Sequence, residues 1–117
     1  MKMYDLEERL VQFSASIIIG ITTLKKTFAS EHLTKQLIRS ATSAALNYGE
    51  AQAAESKRDF IHKMKICLKE LRESQINLKI LKEADLIMDD EKMKSITQEC
   101  KELVAIFTSS IKTTKEK

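Results

Sequence analysis

The most informative stretch of the sequence is Gln36–Ser74, QLIRSATSAALNYGEAQAAESKRDFIHKMKICLKELRES. Residues 33–54, which overlap its first half, carry only three charged side chains, Lys35, Arg39 and Glu50, although 32% of the chain is charged. Alanine, serine, threonine and glycine fill most of the space between them. A surface helix normally has one apolar stripe and one charged face. A helix whose side chains are small and mostly uncharged on nearly all sides is expected to have close protein neighbours on more than one side.

The composition of the whole chain predicts a single all-helical domain. At 117 residues the chain is long enough for one hydrophobic core, so residues 1–117 are expected to form one domain. Proline is absent, glycine occurs twice and aromatic residues make up 5% of the chain. Leu, Ile, Ala, Lys and Glu are abundant, which is typical of helical bundles.

Charge and hydropathy restrict where the protein acts. The net charge of +3 and the pI of about 8.8 are mildly basic and do not by themselves identify a nucleic-acid-binding protein. No apolar run, Ile17–Ile21 included, exceeds five residues, far fewer than the ~20 that cross a bilayer. The first ten residues, MKMYDLEERL, lack the apolar core of a signal peptide. We therefore expect a cytoplasmic protein with no membrane partner.

Apolar residues recur at steps of three and four in four segments, and this period predicts four helices. The connections between the segments are short, so consecutive helices should run antiparallel in an all-α, up-down-up-down four-helix bundle. A short break is expected near Glu55, with one long kinked helix as the alternative. The tail KTTKEK is expected to fray. The predicted helices span residues 5–26, 31–54, 57–84 and 90–112, with N-caps at Asp5, Ser30, Ser56 and Asp89 or Asp90.

Basic residues recur along one face of the third predicted helix, opposite its apolar stripe. We call this set the basic stripe; its members are Arg58, His62, Lys65, Lys69, Arg72 and Lys79. Two interpretations stay open: an ordinary solvated face, which is the more common case, or a surface that neutralises the phosphates of RNA or DNA. Aromatic stacking partners are missing from this face, so base-specific recognition is not indicated.

Polar residues also flank the apolar stripes of the second and third helices. If these flanks meet, Arg39 can pair with Glu70 or Glu73, and the network would fix helix register or oligomer geometry. A hydrated rim is the alternative. A hydrolase that uses Glu50, Glu70 and Glu73 is a remote third possibility, because no nucleophile or phosphate-binding loop accompanies these carboxylates. The flanking residues are Gln36, Ser40, Ser43, Asn47 and Glu50 on the second helix, and Lys63, Glu70, Glu73 and Asn77 on the third.

The histidines and cysteines do not predict a metal or cofactor site. A di-iron bundle needs inward-facing Glu-x-x-His pairs, whereas this chain offers only Asp59-x-x-His62, in which His62 faces away from the core. His32 stands alone. Cys67 and Cys100 occupy apolar positions at levels ~10 Å apart along the bundle, too far for a disulfide. We expect two reduced cysteines in the core, no metal, no cofactor and no catalytic residue.

The central segment carries a specific pattern of residues: Gln36-Leu37-x-Arg39-Ser40-Ala41-x-Ser43, Asn47-x-x-Glu50, Glu55-Ser56-Lys57-x-x-Phe60-Ile61-x-Lys63 and Lys69-Glu70-x-x-Glu73. In this pattern the chain resembles the small four-helix-bundle proteins encoded in intervening sequences of bacterial 23S rRNA genes, also labelled S23 ribosomal proteins. The resemblance covers roughly Leu6–Leu86. It implies a bundle that assembles as a homopentamer and has no established enzymatic activity. A related bundle is the pentameric, basic accessory protein of diversity-generating retroelements, which engages a reverse transcriptase and nucleic acid.

The resemblance sets the functional expectation. It marks Arg39, Asn47, Glu50, Glu70 and Glu73 as signature positions with a structural role. Two features depart from related proteins: residues 74–78 replace an aromatic-rich stretch, and the basic excess is modest. We expect a non-catalytic homo-oligomeric scaffold associated with RNA or with another protein; the alternative is a nucleic-acid-binding accessory protein that uses the basic stripe. The candidate oligomer contacts are Ser40, Ser43, Ala44, Ala45 and Asn47.

Overall fold

A computed structural model describes residues 6–117 of the protein. It contains four α-helices: α1 (Leu6–Gly20), α2 (Phe28–Gln52), α3 (Lys57–Glu83) and α4 (Asp90–Glu116). A single 3₁₀ turn, Ile21–Thr23, follows α1.

Helix α2 begins earlier than predicted because its N-cap is Thr27. The Thr27 hydroxyl accepts a hydrogen bond from the backbone N–H of Ser30 at 3.0 Å, and Ser30 Oγ accepts one from the N–H of Thr27 at 2.9 Å. The two residues form a capping box in which serine takes the place usual for glutamate. The prediction that Ser30 is the cap is therefore wrong by three residues.

The caps of α3 and α4 follow the prediction. Ser56 Oγ accepts from the N–H of Asp59 at 3.0 Å, and Asp89 Oδ1 accepts from the N–H of Lys92 at 3.1 Å. The chain leaves helical geometry between α2 and α3, so the predicted short break near Glu55 is present. Asp5, the predicted cap of the first helix, lies outside the described residues.

Two predicted helix ends are wrong. Helix α1 ends at Gly20, not at residue 26, because Leu24 is extended and buried and the next amide, of Lys25, donates to the carbonyl oxygen of Leu86 at 2.9 Å. Helix α4 continues to Glu116, and the expected fraying of residues 112–117 is not seen. Burial of Ile111 holds this last part of α4 against the bundle.

The four helices pack as an antiparallel bundle. Helix α2 packs against α1 and α3, and α4 packs against the same two helices from the other side, so α2 and α4 lie on one diagonal. The bundle measures 46 × 25 × 20 Å. The predicted all-α, up-down-up-down bundle is confirmed. Its core is formed by the apolar stripes of all four helices and contains Leu6, Leu10, Phe13, Ile17, Leu37, Ala41, Ala44, Tyr48, Met64, Cys67, Leu71, Leu78, Leu81, Met93, Ile96, Cys100, Leu103 and Phe107.

No helix in the described part of the chain combines the length and the apolar character that crossing a bilayer requires.

Candidate nucleic-acid interface and assembly surfaces

All six members of the basic stripe lie exposed on α3. From residue 58 to residue 79 the stripe extends over ~32 Å, at 1.5 Å per helical residue. Within residues 6–117, Lys69 has a carboxylate at 4.0 Å, from Glu73, and no other lysine or arginine of the stripe has one within 4.0 Å. Most of the stripe is thus uncompensated positive charge, as a phosphate-binding surface requires.

A lysine of α4 extends the basic stripe at one end of the bundle. The side chains of Lys65 and Lys115 are in contact, and this contact together with the repulsion of the two ammonium groups lowers the pKa of Lys115. Lys57, Arg58 and His62 line a shallow depression beside Lys65. Sequence periodicity alone did not identify Lys115, because its proximity depends on how α4 is aligned against α3.

The predicted polar flanks meet at the seam between α2 and α3, but their ion pairs lie at the solvent-exposed rim. Arg39 Nη2 is 3.7 Å from Glu73 Oε1, with side-chain exposures of 67% and 42%. Lys63 Nζ donates to Glu50 Oε1 at 2.7 Å, and this bond raises the pKa of Lys63. Of the two predicted partners of Arg39, the structure brings Glu73 within ion-pair distance and not Glu70.

The inner part of the seam is held by hydrogen bonds between neutral groups. Ser40 Oγ and Ser74 Oγ are 2.6 Å apart, and Asn77 Nδ2 donates to the carbonyl oxygen of Leu33 at 2.9 Å. Glu70 is only 7% exposed, and its Oε1 has no hydrogen-bond partner in the described chain. Asn47 bonds within α2, where its Nδ2 donates to the carbonyl oxygen of Ser43 at 2.9 Å. The contacts that fix register between α2 and α3 are therefore those of Ser40 and Asn77.

The residues predicted to contact a second copy divide into two groups. Ser40 and Ala44 are buried inside the single chain, so they have no surface left for a neighbouring molecule. Ser43, Ala45 and Asn47 are half-buried and keep part of their surface. The small residues on the inner side of α2 allow α1 and α3 to approach it closely within one bundle.

Exposed apolar side chains are concentrated on three of the four helices. Of the eight large apolar residues exposed in the described chain, seven lie on α1, α2 or α3, one lies in the α3–α4 loop, and none lies on α4. This uneven distribution separates an apolar part of the surface from the charged outer side of α4. The eight residues are Val11, Ile18, Ile19, Phe28, Leu46, Ile76, Ile80 and Met88.

The shortest ion pair in the described chain, between Arg9 and Glu99, was not predicted from the sequence. Arg9 of α1 donates from Nε to Glu99 Oε2 at 3.0 Å and from Nη2 to Glu99 Oε1 at 2.6 Å, and Nη2 also reaches Glu102 at 3.3 Å. These hydrogen bonds raise the pKa of Arg9 and join α1 to α4. The sequence does show a basic residue beside the apolar stripe of α1 and acidic residues beside that of α4. Their pairing could not be predicted, because it depends on how the two helices are aligned.

Neither cysteine has the environment of a nucleophile. Cys67 and Cys100 are free and buried, and burial raises the pKa of each thiol to about 12. Cys100 Sγ donates to the carbonyl oxygen of Leu71 at 3.4 Å. Among residues 6–117, no group of three or more His, Cys, Asp or Glu side chains is arranged to hold a metal ion.

The family model of the 23S rRNA-intervening sequence protein matches residues 4–109. The chain belongs to this family. A crystal structure from Bacteroides thetaiotaomicron VPI-5482, described as a protein with unknown function from the S23 ribosomal protein family, is 30% identical. That match has a TM-score of 0.78 and covers 92% of this chain and 98% of the other. No curated protein matches the chain. The resemblance inferred from the central segment is confirmed.

The signature positions of the 23S rRNA-intervening sequence family that were inferred from the resemblance all lie along the seam between α2 and α3. Arg39 and Glu73 approach each other across it, Glu50 accepts a bond from Lys63, and Asn47 and Glu70 lie farther in. The contacts observed at Arg39, Glu50 and Glu73 are those of paired, solvated groups.

Proposed function

We propose that this member of the 23S rRNA-intervening sequence family is a non-catalytic scaffold that assembles with copies of itself, as the pentamer implied by the resemblance would. The observation that carries the proposal is the concentration of exposed apolar side chains on α1, α2 and α3. Exposed apolar side chains that gather on one part of a protein surface commonly mark protein–protein contacts. We expect this assembly to act in the cytoplasm.

The chemistry of the acidic and thiol side chains supports a non-catalytic role. Glu50 and Glu73 are engaged with cations at the α2/α3 seam, and Glu70 is almost fully buried. Cys67 and Cys100 are protonated at neutral pH because burial raises the pKa of both. Nucleophilic catalysis by a thiol requires an accessible thiolate, and neither buried cysteine provides one.

Assembly is tested by measuring the mass in solution. Light scattering coupled to gel filtration at micromolar concentrations should give a multiple of the 13.4 kDa chain mass. The half-buried position of Ala45 offers a variant. Ala45→Arg places a charge in the contact and should shift the mass toward that of one chain. A wild-type protein that stays at 13.4 kDa over this concentration range would contradict the proposal.

A second candidate function is binding of RNA or DNA by the basic stripe. The unpaired cations of the stripe, together with Lys115, are the observation that favours it. Phosphate contacts release condensed counterions, so binding should be nearly independent of sequence and should weaken steeply with added salt. Repetition of the stripe in an oligomer would strengthen a contact that is weak for a single chain.

Replacement of three stripe residues tests this second function. The triple variant Lys65→Gln, Lys69→Gln, Arg72→Gln should keep its helicity, because all three side chains are exposed. In filter binding with structured RNA and duplex DNA, the slope of log affinity against log salt should fall by about 2–3 units, at ~0.7–0.9 per lost phosphate contact.

The matched control removes the same charge away from the stripe, with Lys26→Gln, Lys35→Gln and Lys92→Gln. This control should retain most of the affinity of the wild-type protein. No binding by the wild-type protein at low salt, or equal losses in both triple variants, would exclude the stripe as the binding surface.

A further inference from the structure

We propose that the groove between α3 and α4 binds a small organic acid, a compound in which an apolar chain carries one carboxylate. This inference goes beyond self-assembly and nucleic-acid binding and depends on neither. We call the site the α3/α4 groove. Its apolar floor and its basic rim are formed by Leu78, Ile87 and Met93 and by Lys79, Lys82 and Lys94, respectively.

The α3/α4 groove has the dimensions of a small-molecule site. Along α4 its lining extends from Asp90 to Gln98, which is ~12 Å at 1.5 Å per residue. Its volume is about 530 Å³. Pockets for small ligands usually enclose about 300–1,000 Å³ and combine a mostly apolar lining with a few polar groups. The groove therefore accepts a compound of small-molecule size.

The floor of the groove is apolar and belongs to the core of the bundle. Leu78 of α3 and Met93 of α4 are each only 2% exposed. Ile87, from the α3–α4 loop, is half-buried against the same core. Met93 also has an unbranched, polarisable side chain that adapts to the shape of a neighbouring group. A ligand that fills this groove therefore needs an apolar body.

The loop that carries Ile87 is fastened to the opposite side of the bundle. The amide of Lys25 donates to the carbonyl oxygen of Leu86 at 2.9 Å, and Leu24 and Ile87 form an antiparallel bridge. The end of the groove beside the loop is thus fixed before a ligand arrives. A site that is already ordered saves the free energy that ordering a loop on binding would cost.

The rim of the groove is positively charged. Lys79 and Lys82 stand one turn apart on α3, and Lys94 lies across the groove on α4. Within residues 6–117, no carboxylate lies within 4.0 Å of any of these three ammonium groups. Among the lining residues Asp90 alone is acidic, so three ammonium groups face one carboxylate. This excess of positive charge is complementary to an anionic head group.

The combination of floor and rim selects the class of ligand. No aromatic side chain lines the groove, so it offers no stacking platform for a nucleic-acid base. A phosphate backbone would use the lysines and leave the apolar floor without a partner. A peptide helix laid along the groove would have to continue past the loop at Ile87. A small carboxylic acid satisfies both parts, because its apolar chain covers the floor and its carboxylate reaches the lysines.

Decanoate, used below its micelle-forming concentration, is a suitable probe. Methyl NMR of the full chain, labelled at Leu, Ile and Met, should show saturable shifts at Leu78, Ile87 and Met93. The methyl groups of Ile111, near the other end of α4, should not shift. Decylamine has the same chain and the opposite charge, and it should bind about tenfold more weakly than decanoate. Addition of sodium chloride should weaken decanoate, because the ammonium groups of the rim are exposed.

The triple variant Lys79→Gln, Lys82→Gln, Lys94→Gln tests the rim. Its affinity for decanoate should fall about tenfold, since each exposed charge pair contributes about two- to threefold. The matched control is the triple variant of the basic stripe described above, which removes the same charge outside the groove and should bind decanoate within about twofold of the wild type. Thr97→Trp tests the groove itself, because Thr97 is half-buried and lines it. This variant should abolish the saturable shifts, and circular dichroism shows whether its helicity is intact.

Four results would overturn the proposal. They are the absence of saturable shifts with decanoate, equal affinities for decanoate and decylamine, equal losses in the two triple variants, and unchanged binding by a folded Thr97→Trp protein. If Thr97→Trp fails to fold, the two triple variants still decide. An acidic amphipathic peptide that shifts the groove methyl groups when decanoate does not would also overturn the proposal and assign the groove to a protein partner.

Discussion

The buried hydroxyl pair of Ser40 and Ser74 offers a direct measure of how α2 is tied to α3. The two Oγ atoms are 2.6 Å apart, and the residues are 2% and 0% exposed. Each hydroxyl also has a backbone acceptor within its own helix, the carbonyl oxygen of Leu37 at 3.2 Å for Ser40 and that of Glu70 at 3.0 Å for Ser74. Removing one hydroxyl therefore breaks the bond between the helices without leaving the other hydroxyl unsatisfied.

We expect Ser40→Ala and Ser74→Ala each to lower the free energy of unfolding by about 1 kcal/mol. One intramolecular hydrogen bond contributes about 0.5–1.5 kcal/mol net, and the higher helix propensity of alanine offsets a few tenths of this. The double variant loses the same inter-helix bond only once. Its cost should therefore be smaller than the sum of the two single costs by about 0.5–1 kcal/mol, which is the coupling that a double-mutant cycle measures.

Urea unfolding followed by far-UV circular dichroism, at one fixed protein concentration, gives the four free energies. Ser109→Ala on the exposed side of α4 is the matched control and should change stability by no more than about 0.5 kcal/mol. Costs of Ser40→Ala and Ser74→Ala that add within about 0.3 kcal/mol would refute the direct bond between the two hydroxyls.

Four further variants probe the seam, the thiols and the outer side of α2. Arg39→Ala should lower the free energy of unfolding by less than about 1 kcal/mol, because its ion pair is solvent-exposed; a loss of ~3–5 kcal/mol would instead indicate a buried pair. Glu70→Met should raise the free energy of unfolding by about 1 kcal/mol, since one buried carboxylate oxygen lacks a partner; destabilisation would mean that a group outside residues 6–117 satisfies it. Burial raises the pKa of Cys67 and Cys100 from the ordinary thiol value of 9.0 to about 12, so between those pH values the unfolded chain releases thiol protons that the folded chain retains. Stability should therefore fall by up to about 1.4 kcal/mol per pH unit per thiol above pH ~9, and replacing both cysteines by alanine should remove this slope in pH-dependent urea unfolding. Gly49→Ala should raise the free energy of unfolding of a monomeric variant by about 0.5–1 kcal/mol, and an unchanged or lowered value would exclude open space beside Gly49.

The features that sequence predicted well are those set by residues close together in the chain. The helical period identified all four helices, and the caps at Ser56 and Asp89 follow from side chains that bond three residues ahead. Thr27 and Ser30 stand three residues apart and either can cap a helix, so the choice depended on the position of the preceding loop. The end of α1 was missed because Leu24 leaves the helix to pack beside a loop far along the chain.

The features that sequence could not predict depend on the alignment of distant helices. The exposure of the basic stripe followed from periodicity within α3, whereas the contact of Lys65 with Lys115 and the pairing of Arg9 with Glu99 depend on how α4 lies against α3 and α1. The sequence predicted that small residues of α2 are buried, but not whether the same chain or a neighbouring molecule buries them. Ala44 is enclosed by its own chain, and its residue type does not distinguish that from enclosure by a neighbour.

The two glycines of the chain differ in whether packing within one bundle restricts the size of the residue at their position. A Cβ atom on Gly20 would come within 2.8 Å of Ile96 Cδ1, so a larger residue there would require the Ile96 side chain on α4 to shift. A Cβ atom on Gly49 would meet nothing within 4 Å in its own chain, although glycine inside a helix costs about 0.5–1 kcal/mol relative to alanine. Packing within the bundle therefore gives no reason for glycine at this exposed position of α2. The proposed self-assembly would supply one if it brings a second molecule to the side of α2 on which Ala45 and Gly49 lie, four residues apart.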